Sequence, residues 1–152
     1  MLTRYPHSFF PALSAAVLSM VFSACGPRSD RKVHFGNLRD GAEVESPFRV
    51  EMKAENLVVE PATNGVTDGH GHFHIIINSP MPPAPAPIPK DSLHIHYGQG
   101  QTETESDLPE GEHALILQFA KGDHVPYDPQ IAQQIRIRVT GRKADPAGAV
   151  SK

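Results

Sequence analysis

The chain contains a single cysteine, Cys25, and no tryptophan. One cysteine cannot form a disulfide within the chain, so the folded domain depends on its hydrophobic core or on a bound ligand. No serine stands in the pattern of a nucleophile elbow, and no second thiol is available for catalysis. The sequence therefore offers no candidate catalytic residue, and we predict that the protein is not an enzyme.

Basic residues are not in excess. The 14 lysines and arginines are outnumbered by 17 aspartates and glutamates, which gives a formal net charge of −3 at pH 7. Proteins that bind nucleic acid usually present a basic patch or stripe. We therefore expect no nucleic-acid partner.

Ionisable residues are also missing from residues 8–24, which follow the single basic residue Arg4. This run is shorter than the roughly 20 residues of a membrane-spanning helix but suits a signal peptide. It ends in Val-Phe-Ser-Ala-Cys, which resembles the lipobox of bacterial lipoproteins. The resemblance implies that residues 1–24 are removed and that Cys25 is lipidated, which places the domain on the periplasmic side of the cell envelope. An uncleaved anchor and ordinary signal cleavage are the alternatives, and Gly26 favours the outer over the inner membrane.

No convincing helical pattern occurs in the rest of the chain, where short runs alternate between apolar and polar residues. Such alternation predicts half-buried β-strands, and turn signals separate the runs. The apolar runs lie at 33–35, 48–52, 57–59, 73–77, 93–97, 115–119 and 135–139. We predict an all-β domain, an immunoglobulin-like antiparallel β-sandwich of about seven strands, with a small barrel as the alternative.

The predicted sandwich occupies residues 33–140, between a polar tether at 25–32 and a disordered tail at 141–152. Residues 80–89 hold six prolines. Proline lacks an amide donor and cannot lie in a central strand. This segment is therefore predicted to be a stiff connecting loop.

Histidine is the residue type that the chain has in excess, with 9 in total. His72 and His74 form one His-x-His pair, and His94 and His96 form another, each within a predicted strand. Alternate side chains of a strand point to the same face. If the two strands pair antiparallel in a symmetric register, His72 lies opposite His96 and His74 opposite His94. Opposed Cβ atoms about 4.5–5.5 Å apart let imidazoles converge on one ion.

These four histidines form the predicted metal site, and nitrogen ligands of this kind suit copper(II) or zinc(II). His113, near the start of a strand, and His124, in a loop, are further candidate ligands, as is His70. Ile76 lies on the predicted histidine face and indicates that this face is partly buried. The alternative is a polar histidine network that binds no metal.

Several sequence blocks resemble an uncharacterised bacterial family, domain of unknown function 4399. The blocks are Gly-His-Phe-His at 71–74, His-Ile-His-Tyr-Gly-Gln-Gly-Gln-Thr-Glu-Thr at 94–104, Gly-Glu-His at 111–113 and Asp-His at 123–124. The resemblance covers about residues 33–139. It implies no reaction, because no function is known for the family. The resemblance therefore makes these histidines candidate site residues and assigns them no role.

The combined expectation is an exported lipoprotein that binds copper or zinc through its paired histidines. One alternative is an interaction module that binds an envelope protein or polymer without a metal. Another is a metal-dependent oxidoreductase resembling copper–zinc superoxide dismutase, which also places histidines on a β-sandwich. That enzyme family normally carries an intradomain disulfide, which a single cysteine cannot form, so this activity is disfavoured.

Overall fold

A computed structural model describes residues 30–143 of the chain; the predicted signal peptide, Cys25 and most of the predicted tail lie outside this range. The described part is built from β-strands and one short 3-10 turn at Ala62–Asn64 and contains no α-helix. No helix in residues 30–143 is therefore long and apolar enough to cross a membrane. The nine strands are β1 (Lys32–Phe35), β2 (Ala42–Ser46), β3 (Phe48–Glu55), β4 (Val58–Val59), β5 (His70–Ile77), β6 (His94–Tyr97), β7 (Glu103–Ser106), β8 (Gly111–Ala120) and β9 (Ala132–Arg142).

The strands form two sheets. The smaller has the order β1-β3-β7, and the larger has the order β2-β9-β8-β5-β4, with β6 also pairing with β5. Most neighbours are antiparallel, whereas β2–β9 and β4–β5 are short parallel pairs. The all-β sandwich predicted from the sequence is confirmed.

The core lies between the sheets, and the two-residue period of the strands fills it. In β3, Phe48, Val50 and Met52 are buried and alternate with more exposed polar residues. From the larger sheet, Phe73 and Phe119 pack edge to face with ring centroids 5.4 Å apart. Buried residues of β1, β5, β8 and β9 complete one continuous cluster: Val33, Phe35, Ile75, Leu115, Leu117, Ile135, Ile137 and Val139.

Each of the seven predicted apolar runs contributes to a strand of the structure. Two strands were not predicted, β2 and β7. Both run along sheet edges and carry little buried apolar surface, since β7 reads Glu-Thr-Glu-Ser and β2 has one buried residue, Ser46. Strand β7 contains no apolar residue, and the alternation in β2, Ala-Glu-Val-Glu-Ser, includes only the two apolar residues Ala42 and Val44. Neither segment therefore gave a strong strand signal.

The proline segment, residues 80–89, contains no strand, as predicted. Its Ile88 is buried, and the Ile88 N–H donates a hydrogen bond to the carbonyl oxygen of His124 at 3.0 Å. Ile76 and Ile116 are also buried, although both lie outside the main core cluster. The larger sheet is therefore covered on its outer face as well, which confirms the partial burial that Ile76 indicated.

The predicted register between the two histidine strands is wrong by two residues. His74, and not His72, lies opposite His96, and His94 lies opposite Ile76. The turn before β6 accounts for the shift: the Asp91 carboxylate accepts hydrogen bonds from the N–H groups of Leu93 and His94 at 2.8 and 3.1 Å. A shift of two residues keeps every side chain on its original face, so both histidine pairs still point outward.

Candidate metal centre

Strand β5 supplies two histidines to the outer face of the larger sheet. Phe73 and Ile75 point into the core, so His72 and His74 point the opposite way. Both histidines are nonetheless buried, with 0% and 2% of their surface exposed. Strand β5 is hydrogen-bonded on both edges, to β8 on one side and to β4 and β6 on the other. The two imidazoles therefore project from the most constrained strand of the sheet.

Strand β6 adds His96, directly opposite His74 in the antiparallel ladder. Its ring lies over the backbone of Gly98. A Cβ atom at that glycine would stand 2.1 Å from both Nε2 and Cε1 of His96. Glycine at this position therefore leaves the space that the imidazole occupies.

The fourth histidine, His124, comes from the loop between β8 and β9. Its backbone is left-handed, with φ of 64°, a conformation that non-glycine residues rarely adopt. Three hydrogen bonds hold it in place: its N–H donates to Lys121 O at 2.9 Å, its carbonyl accepts from Ile88, and Lys121 N–H donates to Val125 O at 3.1 Å. The Asp123 carboxylate accepts from Val125 N–H at 3.1 Å and tightens the same turn. The loop is thus built to present this imidazole.

These residues form the histidine cluster, defined here as His72, His74, His96 and His124. Each of the four rings contributes one nitrogen, and these four nitrogens all lie within 4.8 Å of one another. Nε2 of His72 is 3.0 Å from Nε2 of His74 and 3.1 Å from Nδ1 of His124. The ring centroids are 4.7 to 6.0 Å apart. Four imidazoles from three separate segments therefore converge on one point.

Hydrogen bonding within the histidine cluster is incomplete. Each nitrogen of a neutral imidazole has either one N–H or one lone pair. Nε2 of His72 can therefore make a good hydrogen bond to only one of its two close neighbours, Nε2 of His74 and Nδ1 of His124. The Nδ1 atoms of His72 and His74 and Nε2 of His96 are buried without a hydrogen bond to any described residue. Unsatisfied buried polar atoms are uncommon in folded proteins and require an explanation.

Burial also keeps these imidazoles neutral. Desolvation, reinforced by the neighbouring histidines, lowers the pKa of His72 to about 4 and the pKa of His74 to about 2. Burial together with the nearby His124 and Lys90 lowers the pKa of His96 as well. Metal ions bind the neutral form of histidine. His72, His74 and His96 are therefore in their ligating state at neutral pH.

Gln118 completes the polar part of this face. It lies opposite His74 in the ladder between β5 and β8, and it is fully buried. Neither its Oε1 nor its Nε2 makes a hydrogen bond with a described residue. Gln118 is therefore a second unsatisfied polar group on the face that carries the histidine cluster. It was not predicted from the sequence, although it stands out as a polar residue within an apolar strand.

The other predicted ligands lie apart from the histidine cluster. Nδ1 of His94 lies 2.8 Å from the Asp91 carboxylate. Nε2 of His113 donates to the carbonyl of Pro109 at 2.8 Å, and its Nδ1 accepts from Asn78 at 3.0 Å. Nδ1 of His70 lies 3.2 Å from a carboxylate oxygen of Glu60. Of the predicted set, the structure brings together His72, His74, His96 and His124.

A cavity of about 100 Å³ adjoins the histidine cluster. Its walls are His74, His96 and His124 on one side and Ile88, Pro89 and Lys90 on the other. A larger cleft of about 430 Å³ lies beside Tyr127. None of the clustered histidines lines that cleft.

Comparisons with known proteins agree with the resemblance noted in the sequence. The family described as "Domain of unknown function (DUF4399)" matches residues 50–140, a range that contains the whole histidine cluster. No curated protein matches the chain. Among solved structures, the chain is similar to the X-ray structure of the endo-beta-1,4-mannanase from Thermotoga petrophila, at 14% identity and a TM-score of 0.46. That similarity covers 76% of this chain but 21% of the mannanase, and it carries no information on function.

Proposed function

The chain belongs to the family described as "Domain of unknown function (DUF4399)", and from its site alone we propose that it binds one transition-metal ion, zinc(II) or copper(II). The proposed ligands are His72, His74, His96 and His124. One observation carries the proposal: four imidazoles from three segments bring their nitrogens within 4.8 Å of one another beside the outer face of the larger sheet. A cation at the centre of this group gives every converging lone pair a partner.

The spacing of the nitrogens supports a first-row metal. Ligand nitrogens about 2.0–2.1 Å from an ion lie about 3.3 Å apart in a tetrahedron and about 2.9 Å apart at neighbouring corners of a square. The short separations in the cluster, 3.0 and 3.1 Å, fall between these values. An all-imidazole set suits both zinc(II) and copper(II). It includes no thiolate or carboxylate, so the bound ion retains its full double charge.

The role that we propose is to bind and buffer the metal, without turnover. All four ligands are held by strands or by a hydrogen-bonded turn, so the site is formed before the ion arrives. The sequence supports an exported, lipid-anchored location through residues 1–24 and Cys25. In that setting the protein handles copper or zinc in the cell envelope.

Calorimetric titration of copper(II) and zinc(II) into chelator-treated protein tests the proposal. We expect one ion per chain, and we expect His74→Ala and His96→Ala each to weaken binding by at least about 100-fold, more than the loss of a residue that merely orients a ligand. His34→Ala is the matched control, because His34 lies on the other sheet near Glu55. Binding no tighter in the native chain than in the two cluster variants would overturn the proposal. The histidines would then form a polar network, as in the interaction-module alternative.

Two further variants separate the ligand set seen in the structure from the one predicted from sequence. His94→Gln should leave the affinity nearly unchanged, because His94 is paired with Asp91 and lies outside the cluster. Gly98→Ala changes no histidine, but its Cβ displaces the ring of His96. We expect it to weaken binding by about 10- to 100-fold, as the loss of a supporting residue does. The reverse ranking would favour the sequence-based set.

Lipidation has its own test. Expression in a bacterial host with labelled palmitate should label the native chain and leave Cys25→Ser unlabelled. The variant should also be released from the membrane fraction. Equal labelling of both proteins would contradict a lipid anchor at Cys25, and it would leave the metal-binding proposal untouched because Cys25 is not among the proposed ligands.

A further inference from the structure

The cavity beside the histidine cluster has two unlike walls. Three of the four proposed ligands, His74, His96 and His124, form one of them. The other is formed by Ile88 and Pro89, the end of the proline segment, and by Lys90, which follows it. A ligand in this cavity would therefore touch the metal site on one side and the proline segment on the other.

Lys90 is the charged residue of this cavity. Its side chain forms no ion pair with any residue in the described range 30–143. It lines the same cavity as three of the proposed ligands. A lysine next to a doubly charged ion is repelled by that ion. A negative charge placed between the metal ion and the Lys90 ammonium replaces this repulsion with an attraction to both.

We infer that the cavity binds a small monovalent anion as an additional ligand of the metal, with the Lys90 ammonium as its counter-charge. This inference rests on the metal-binding function proposed above. The anion lies between the ion and Lys90, next to the buried side chain of Ile88.

The size of the cavity limits the ligand. Its volume is about 100 Å³, whereas pockets for drug-sized molecules measure about 300–1,000 Å³. A space of this size holds a small anion without any rearrangement of the walls, so small inorganic anions and the smallest carboxylates are the ligands that we propose.

Azide is a suitable probe, because it is small, monovalent and coloured when bound to copper(II). The copper(II)-loaded protein is first shown to contain one ion per chain and is then titrated with azide at low salt. We expect one azide per copper and a new azide-to-copper charge-transfer absorption. In Lys90→Ala the azide dissociation constant should rise about fivefold, the upper range for a partly exposed charge pair, whereas Lys90→Arg should retain native affinity. Higher salt should reduce the difference between the native protein and Lys90→Ala.

Lys53→Ala is the matched control, because Lys53 lies on β3 of the other sheet and pairs with Glu51. It should bind copper and azide as the native protein does. Stoichiometric copper without azide binding would overturn this inference alone, as would equal azide affinity in the native protein and Lys90→Ala. Failure to bind copper at one ion per chain would overturn the proposed function, and the anion site with it.

Discussion

The two faces of strand β5 are buried to the same extent and built from opposite chemistry. Phe73 and Ile75 face the core with 0% and 1% of their surface exposed, and they carry no polar side-chain atom. His72 and His74 face the other way with 0% and 2% exposed. Their Nδ1 atoms make no hydrogen bond with a described residue. One strand therefore has one face that is fully satisfied and one that is not.

This difference between the two faces of β5 assigns stability to the core face and binding to the histidine face. Burying apolar surface stabilises a fold by about 25 cal/mol per Å², whereas burying a polar group without a partner costs free energy. The core face therefore holds the sandwich together, and the histidine face weakens it. A metal ion bound by the converging nitrogens would offset part of this cost. Local violations of this kind are expected at functional sites. Each prediction below changes one face and measures whether the other responds.

The largest effect is expected on the core face. Phe73→Ala removes a fully buried ring that packs against Phe119, and we expect the free energy of unfolding to fall by about 3–5 kcal/mol. Urea denaturation of the metal-free protein measures this loss. The histidines themselves are unchanged, so the protein that remains folded should still bind one metal ion. A loss below about 1 kcal/mol would contradict the assignment of this face as the stabilising one.

Metal binding should also have a large effect, through the histidine face. An ion that binds the folded state alone at 100 times its dissociation constant stabilises it by about 2.7 kcal/mol. We expect zinc(II) to raise the melting temperature at this saturation and a chelator to reverse the rise. His74→Ala should abolish it. An equal rise in that variant would mean that the ion binds elsewhere in the chain.

The sequence predicted which residues share a face but not how the faces are aligned. Alternation with a period of two identified β5 and β6 and placed both histidine pairs on one side. A two-residue slip leaves that pattern intact, so periodicity cannot distinguish the predicted pairing of His72 with His96 from the observed pairing of His74 with His96. The turn at Asp91 decides between them, and its geometry is not visible in the apolar pattern.

Loops explain the rest of the difference. His124 was one of several candidate ligands, and what brings it to the cluster is a left-handed turn held to the proline segment through Ile88. Contacts between segments about 35 residues apart in the chain leave no periodic signal. Gln118 and Lys90 escaped notice for a related reason, since each is ordinary in its own segment and acquires a role only beside the histidine cluster.

The pH dependence of stability should reflect the histidine face. Burial lowers the pKa of His72 to about 4 and that of His74 to about 2, whereas in the unfolded chain both titrate near the ordinary value of about 6.5. The unfolded state therefore binds more protons as the pH falls below about 6.5. The stability present above that pH is lost progressively as the pH falls, down to about pH 4 for His72 and about pH 2 for His74. We expect the free energy of unfolding of the metal-free protein, measured by urea denaturation, to fall by about 3–4 kcal/mol between pH 7 and 5, about half of it from each histidine.

A double variant provides the comparison for this pH profile. His72→Leu with His74→Leu removes both depressed groups while keeping the face buried, so its stability should vary less between pH 7 and 5. If the stability of the double variant depended on pH as steeply as that of the native protein, residues other than His72 and His74 would account for the proton uptake. Phe73→Ala should shift the native profile downward without flattening it.

The smallest effect is expected at Gln118. Its amide is buried with both polar atoms unpartnered, and an apolar side chain of similar size removes that desolvation cost. Gln118→Leu should therefore raise the free energy of unfolding of the metal-free protein by about 1 kcal/mol. Metal affinity should change little in the same variant, because Gln118 makes no hydrogen bond to a proposed ligand.

Gln133 offers a control of opposite sign. Its Oε1 accepts a hydrogen bond from the backbone N–H of Phe35 at 2.8 Å, so Gln133→Leu leaves a donor unpaired and should destabilise the protein by about 1 kcal/mol. Urea denaturation of both variants, without metal, compares the same chemical change at a satisfied and an unsatisfied amide. If Gln118→Leu destabilised the protein as much as Gln133→Leu, Gln118 would have a partner in the metal-free state. The histidine face would then be a completed polar network that needs no ion.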